Sequence, residues 1–298
     1  MAKWEKGALN EVSIEGILSE VKLQEGTGKN NEPVIFGEYK IKTTNTIDGI
    51  ETVCEIPIRV YQSKITTNNK ENPAYNTALT IMKDYVSIAA GGEEKATCVH
   101  LSENSTRLQE NFFLSKTTNN MVFSSGIRAS FVNKINKENM TPGARFKAVV
   151  VIGDLIDEIN KDGEETGRLI LKGILPQWGG RVDVIDFVVS NKKVIEHIRN
   201  NWEKGNTVLI GGYINYSSTV KTVTEENTFG EPMISKSTQS VREYVITGGH
   251  EEPLTEEEGA YSPEDIAEAL QERQQRIEKA KEKNKETESK PSHISFGF

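Results

Sequence analysis

A chain of 298 residues with 36% hydrophobic content and two cysteines is long enough for two ordinary domains, too polar to pack throughout, and unable to build a disulfide framework. Its net charge of −8 excludes a polycation that attracts phosphates through its overall field. The charge is unevenly placed: residues 251–272 hold nine acids and no base, and residues 273–298 hold seven bases and four acids, which leaves only −2 on residues 1–250. Binding of a polyanion would have to come from local clusters on that near-neutral body. The opening Met1-Ala2-Lys3-Trp4-Glu5-Lys6 has no apolar core of a signal peptide, and no run of about 18 apolar residues exists to cross a bilayer. These features predict a cytoplasmic protein without a membrane partner.

In chain order, residues 11–18 alternate as a strand that contains Gly16. Residues 36–42 and 53–61 read as the second and third strands. Asn72 as cap and Pro73 in the first turn open a helix over 72–82. Residues 97–101 give a fourth strand and 127–132 a closing strand, with an elaborated connection expected over 102–125. The polar stretch 133–143, ending in Thr141-Pro142-Gly143, marks a boundary.

The same order then repeats. Strands are expected at 148–156, 168–175 and 182–189, and Gly153 occupies the place that Gly16 holds in the first copy. A first strand that must bend sharply uses a glycine or a bulge at such a point. Val194, Ile195, Ile198 and Trp202 share one face of a helix. Strands resume at 206–214 and 241–246, joined by a polar connection over 217–239. Five strands with a helix between the third and fourth is the order of an OB barrel. The expected fold is therefore all-β: two OB barrels in tandem, over 8–135 and 143–249, followed by a flexible acidic and partly helical tail over 250–298. In the tail, Ser262-Pro263-Glu264-Asp265 starts a helix, whose thin apolar stripe of Ile266, Leu270 and Ile277 predicts a solvated rod. The chain ends on Ile294-Ser295-Phe296-Gly297-Phe298, an apolar tip with no core nearby.

Strand alternation turns Tyr39 and Ile41, with Ile56, Ile58 and Val60, inward. It turns Phe36, Lys40, Lys42, Arg59 and Tyr61 outward, with Lys64 just beyond. Rings beside cations are what a single strand of nucleic acid needs, because bases stack on the rings while cations follow the phosphates. The bland alternative is a solvated sheet with stray aromatics. In the second copy, Pro176-Gln177-Trp178-Gly179-Gly180-Arg181 puts a tryptophan and an arginine on a glycine turn, with Arg168 and Lys172 on one face of the preceding strand. Here the alternative is that Trp178 folds back over one end of the barrel. Enzyme readings are poor. Gly26-Thr27-Gly28-Lys29-Asn30 lacks the spacing of a phosphate loop. Asp154, Asp157, Asp183 and Asp186 have no partner residues for a metal set, and the four histidines are scattered. No catalysis, cofactor or metal is expected.

Gly153-Asp154-Leu155, Gly173-Ile174-Leu175-Pro176 with Arg181-Val182-Asp183, and Trp202-Glu203-Lys204-Gly205-Asn206-Thr207-Val208 with Gly211 carry a resemblance. With them the chain resembles the tandem-OB single-stranded-DNA-binding proteins of phages of low-GC Gram-positive bacteria. The likeness covers residues 143–249 and, more loosely, 10–135. It implies a protein that coats single-stranded DNA in phage replication or recombination. It also implies a tail that recruits replication or recombination proteins, here through Phe296 and Phe298. The sequence departs from the usual form, in which acids directly precede the aromatic tip: the last acid before it is Glu288. The competing expectation is an OB-based structural or adaptor protein of a virion or replisome, with protein partners only.

Overall fold

The computed structural model describes the chain apart from residues 1–3, 5–6, 29–30, 48, 116, 119, 226–232 and 289–298, and apart from the side chains of 220–225, 233–236 and 283–288. It is mostly β. Strands β1 (Asn10–Thr27), β2 (Pro33–Ile47) and β3 (Ile50–Ser63) form an antiparallel meander. Helix α1 (Pro73–Asp84) follows, with the Asn72 side chain accepting from Ala74 N at 3.1 Å, as the cap and proline predict. A one-turn helix α2 (Ile88–Gly91) leads to β4 (Cys98–Leu101), β5 (Thr106–Leu114), β6 (Met121–Ala129) and the short β7 (Asn133–Lys134). The second set is β8 (Gly143–Ile159), β9 (Glu165–Gln177), β10 (Arg181–Val189), helix α3 (Lys192–Asn201), β11 (Thr207–Glu225) and β12 (Met233–Gly249). Helix α4 (Pro263–Glu288) ends the described chain.

Two expected connections are strands instead. Residues 102–125 hold most of the β5–β6 hairpin, paired from Thr106↔Ala129 to Leu114↔Met121. The polar stretch 217–239 continues β11 and β12 as a ladder from Ser217↔Val241 to Glu225↔Met233. Its Thr219-Val220-Lys221-Thr222-Val223-Thr224 is polar but rich in β-branched residues, and that branching favours the extended backbone whatever the polarity.

In the second set β8 pairs β9, β9 pairs β10, β10 pairs β12 in parallel, β12 pairs β11, and β11 returns to β8. In the first set β1 pairs β2, β2 pairs β3, β3 pairs β6 in parallel, and β6 pairs β5. Among the described residues no ladder joins β5 to β1 there. The Asn10 side chain does so, donating to Leu108 O at 2.8 Å and accepting from Leu108 N at 2.9 Å. The expected bends also appear. A Cβ on Gly16 would strike the Lys42 carbonyl, one on Gly153 would lie 3.1 Å from the Lys172 carbonyl, and register shifts fall nearby at Leu18/Glu20 and Ile152/Asp154.

The two sets share a single twelve-stranded sheet. β1 pairs β8 from Asn10↔Ala148 to Glu15↔Gly143, and β11 meets β3 at Ser217↔Cys54. Buried Asn45 on β2 stitches the same seam, donating to Ile214 O at 2.7 Å and accepting from Ala144 N at 2.8 Å. The core runs through the seam without a break, from Tyr39, Ile56 and Ile58 to Phe146, Phe187 and Tyr244. Each such large side chain contributes roughly 1.5–3 kcal/mol by burial.

Helix α4 corrects the expectation of a solvated tail. Ile266, Ala269 and Ile277 are buried, the first two packed with Val151, Ile174 and Val182, and Trp4 packs against that cluster edge-on to Tyr261 at 5.1 Å. Arg273 reaches β5, where its guanidinium forks onto Glu110, with Nε to Oε2 at 2.7 Å. The stripe looked thin because Ala269 adds little hydrophobicity by itself, and because the residues that cover it come from distant parts of the chain.

Candidate nucleic-acid interface

The face assignment on β2 and β3 agrees with the coordinates. Tyr39, Ile41, Ile56, Ile58 and Val60 are buried, whereas Phe36, Lys40 and Lys42 are half-buried and Arg59, Tyr61 and Lys64 exposed. The ladder sets Phe36 opposite Tyr61, Glu38 opposite Arg59, Lys40 opposite Pro57 and Lys42 opposite Glu55. One end of this strip is aromatic, with Tyr61 65% exposed. Its middle is not purely cationic. Lys40 Nζ lies 3.0 Å from Glu20 and 3.8 Å from Glu55, and Lys42 Nζ lies 3.3 Å from Glu93. Glu20 is held below the usual carboxylate range by Lys22 at 2.5 Å, and then by Lys40. Lys40 is correspondingly held above its usual value by Glu20.

Arg59 differs from these lysines. It lines a concavity of about 260 Å³ with Phe113 and Asn111 of β5, Tyr216 of β11 and Arg242 of β12. Among the described residues neither arginine has a carboxylate within ion-pair distance, although Glu38 is in the same wall. The Arg242 guanidinium lies 6.0 Å from the centre of the Tyr216 ring, and Phe113 is half exposed at the rim. Sequence reading missed Phe113 because it placed no strand over 102–125, and it missed Arg242 because it assigned no faces to the strand it expected at 241–246. Alternation within those two strands is the signal that would have found them.

On the second strand set, Trp178 is 76% exposed at the tip of the β9–β10 turn, with Gly179 and Gly180 at φ 73° and 75°. It does not fold back over the sheet. Arg181 beside it is exposed as well. The other two sequence candidates there are compromised. Arg168 forks onto Glu158 and Glu243, each at 2.7 Å, so the triad keeps an excess negative charge. Burial works against the Arg168 charge, but Glu243 and Glu158 outweigh it and hold the guanidinium protonated. Lys172 is exposed but has Asp154 and Asp186 as its partners across the two neighbouring strands. Asp157 pairs with Arg199, and the tip of the β8–β9 hairpin beyond it adds Asp162, Glu164 and Glu165 against Lys161, a net negative charge that repels a polyanion. Phe296 and Phe298 lie outside the described residues. No group of three or more metal-ligating side chains forms among the described residues, and no described helix is long and apolar enough to cross a membrane.

Compared with solved structures, the chain has the fold of a single-stranded-DNA-binding protein. It is similar to two forms of that protein from Thermus aquaticus. One is a deletion mutant, at 12% identity and a TM-score of 0.51 over 87% of this chain and 98% of that one. The other is the wild-type protein, at 10% identity and 0.51 over 84% and 95%. Such identities establish the fold and leave the chemistry to the residues themselves. The chain belongs to the YorF family, whose pattern it matches over residues 8–283. No curated protein sequence matches it.

Proposed function

We propose that the chain is a non-catalytic single-stranded DNA-binding protein built from two OB-type barrels, residues 8–135 and 143–249, and that it serves phage DNA replication or recombination. The observation that carries this reading is the cluster of Arg59, Arg242 and Phe113, with exposed Tyr61 two residues from Arg59 on the same face of β3, on a chain whose fold is shared with such proteins. Rings supply stacking of about 1–3 kcal/mol per base, and unpaired guanidiniums supply phosphate contacts. Strand order supports the barrel assignment, because the second set returns to its own first strand and Asn10 links β5 to β1 in the first. The phage role rests on the sequence likeness around Gly153 and Trp202.

Titration with oligo-dT of about 40 nucleotides, long enough for several sites of OB size, tests the reading. At low salt, about 1 µM protein is expected to shift the labelled strand, with affinity falling as salt rises. Absence of any shift removes the proposal. It would favour an adaptor with protein partners only, a reading to which the acidic β8–β9 hairpin already points.

A further inference from the structure

The face that carries Lys40 and Lys42 continues along β2 to Thr44 and Thr46. These open into a cavity of about 640 Å³ at the seam between the two strand sets, walled also by Arg145 and Lys147 of β8, Tyr213 of β11 and Thr247 of β12. Among the described residues no Asp or Glu lines it, in a chain with 44 acids against 36 bases. Arg145 and Lys147 are both exposed, and neither forms an ion pair with a described residue. Glu11 is the strand partner of Lys147 on β1 but is not in the cavity wall.

The floor of the cavity is bare backbone. Gly212 and Gly249 are demanded by the fold, since a Cβ on either would strike the carbonyl of Val245 or Leu209. Gly143, Gly211 and Gly248 are not. A Cβ on Gly248 would meet nothing within 4 Å, one on Gly211 would lie 3.5 Å from the Phe146 carbonyl, and one on Gly143 3.8 Å from Asn45 Oδ1. None of the three has a positive φ. The fold would accept side chains at these places, so their absence keeps the space open rather than the backbone relaxed.

We infer that the seam cavity is a nucleotide subsite, holding a backbone phosphate between Arg145 and Lys147 and a base against the Gly211 and Gly248 backbone beside Tyr213. The inference rests on the single-strand reading and extends it. A strand bound at Tyr61 and Arg59 would pass along Lys40 and Lys42 into a pocket that exists only because both strand sets share one sheet.

Anisotropy of labelled oligo-dT over a salt series tests it, with melting curves as the folding control. Arg145→Ala with Lys147→Ala is expected to lower the slope of log affinity against log salt by about 0.7, the loss of one phosphate contact on a single strand. Gly248→Leu is expected to weaken binding about tenfold at an unchanged slope, because it fills the base position without touching the cations. Either variant with wild-type slope and affinity overturns the subsite. Failure of the wild-type chain to bind oligo-dT overturns the single-strand reading itself, so the two failures are distinguishable.

Discussion

Three tryptophans divide cleanly by what they touch. Trp202 is buried and donates from Nε1 to Glu251 O at 3.1 Å, and Trp4 donates to Gln177 O at 2.8 Å while lying against Tyr261. Both are structural. Trp178 has no ring partner among the described residues and presents its indole to solvent from a glycine turn. Such a residue contributes little to the folded state, so Trp178→Ala is expected to change stability by no more than about 0.5 kcal/mol. The same substitution is expected to weaken oligo-dT binding by about 1–3 kcal/mol and to remove most of the fluorescence quenching. Urea melts and a quenching titration on the one variant check both halves. Wild-type affinity would remove the β9–β10 turn from the interface and leave Arg59, Arg242 and Tyr61 to carry it. The exposure of Trp178 was legible in the sequence because a glycine turn offers an indole no local core. The fate of Arg168 was not, because Glu243 lies 75 positions away and only the β8–β9–β10–β12 ladder path brings it near.

At the scale of elements, helix α4 and the β5–β6 hairpin form a clamp around two carboxyls. Glu110, only 4% exposed, receives Arg273 and accepts from Val184 N at 3.3 Å, while Asp183 accepts from Glu110 N at 3.3 Å. Burial pushes the Asp183 carboxyl up from 3.8 to about 6. The Glu110 backbone bond opposes that rise, the Glu110 charge adds to it, and Arg276 and Arg273 oppose it more weakly. An acid with a raised folded-state pKa binds its proton more tightly in the folded chain. The stability it contributes is complete below about pH 4 and is lost as pH rises through about 6. Asp183→Asn keeps the acceptor and removes the charge. It is therefore expected to match wild type near pH 4 and to exceed it by about 1–3 kcal/mol at pH 8, read from denaturant midpoints at the two pH values. A variant less stable than wild type at pH 8 would mean that the arginines outweigh burial. The helix itself was visible in the sequence from its cap, proline and first-turn acids. Its docking was not, since the stripe depends on Ala269, and its polar anchor pairs Arg273 with a residue 163 positions away.

For the whole molecule, the repeat of strand order was readable from spacing alone, whereas the joining of the two copies was not. Antiparallel pairing of β1 with β8 joins residues more than 120 positions apart, and hydrophobic period says which way side chains face but not which strand lies alongside. That pairing changes the energetics expected of a tandem protein. Two barrels on a string would unfold separately. Here the cation-lined cavity, the β1–β8 ladder and the Asn45 bridge all lie on the shared seam, so opening one set exposes the core of the other. Calorimetry is expected to give one transition whose calorimetric and van't Hoff enthalpies agree. Asn45→Ala is expected to lower the stability of that single transition by about 2–6 kcal/mol, because it strands the buried Ile214 carbonyl and the Ala144 amide at about 1–3 kcal/mol each. Two resolved transitions in the wild-type chain would show the sets to be energetically independent. A cavity walled by both could then hold a strand only when the two happened to be folded together, and affinity for oligo-dT would fall at the lower of the two melting temperatures.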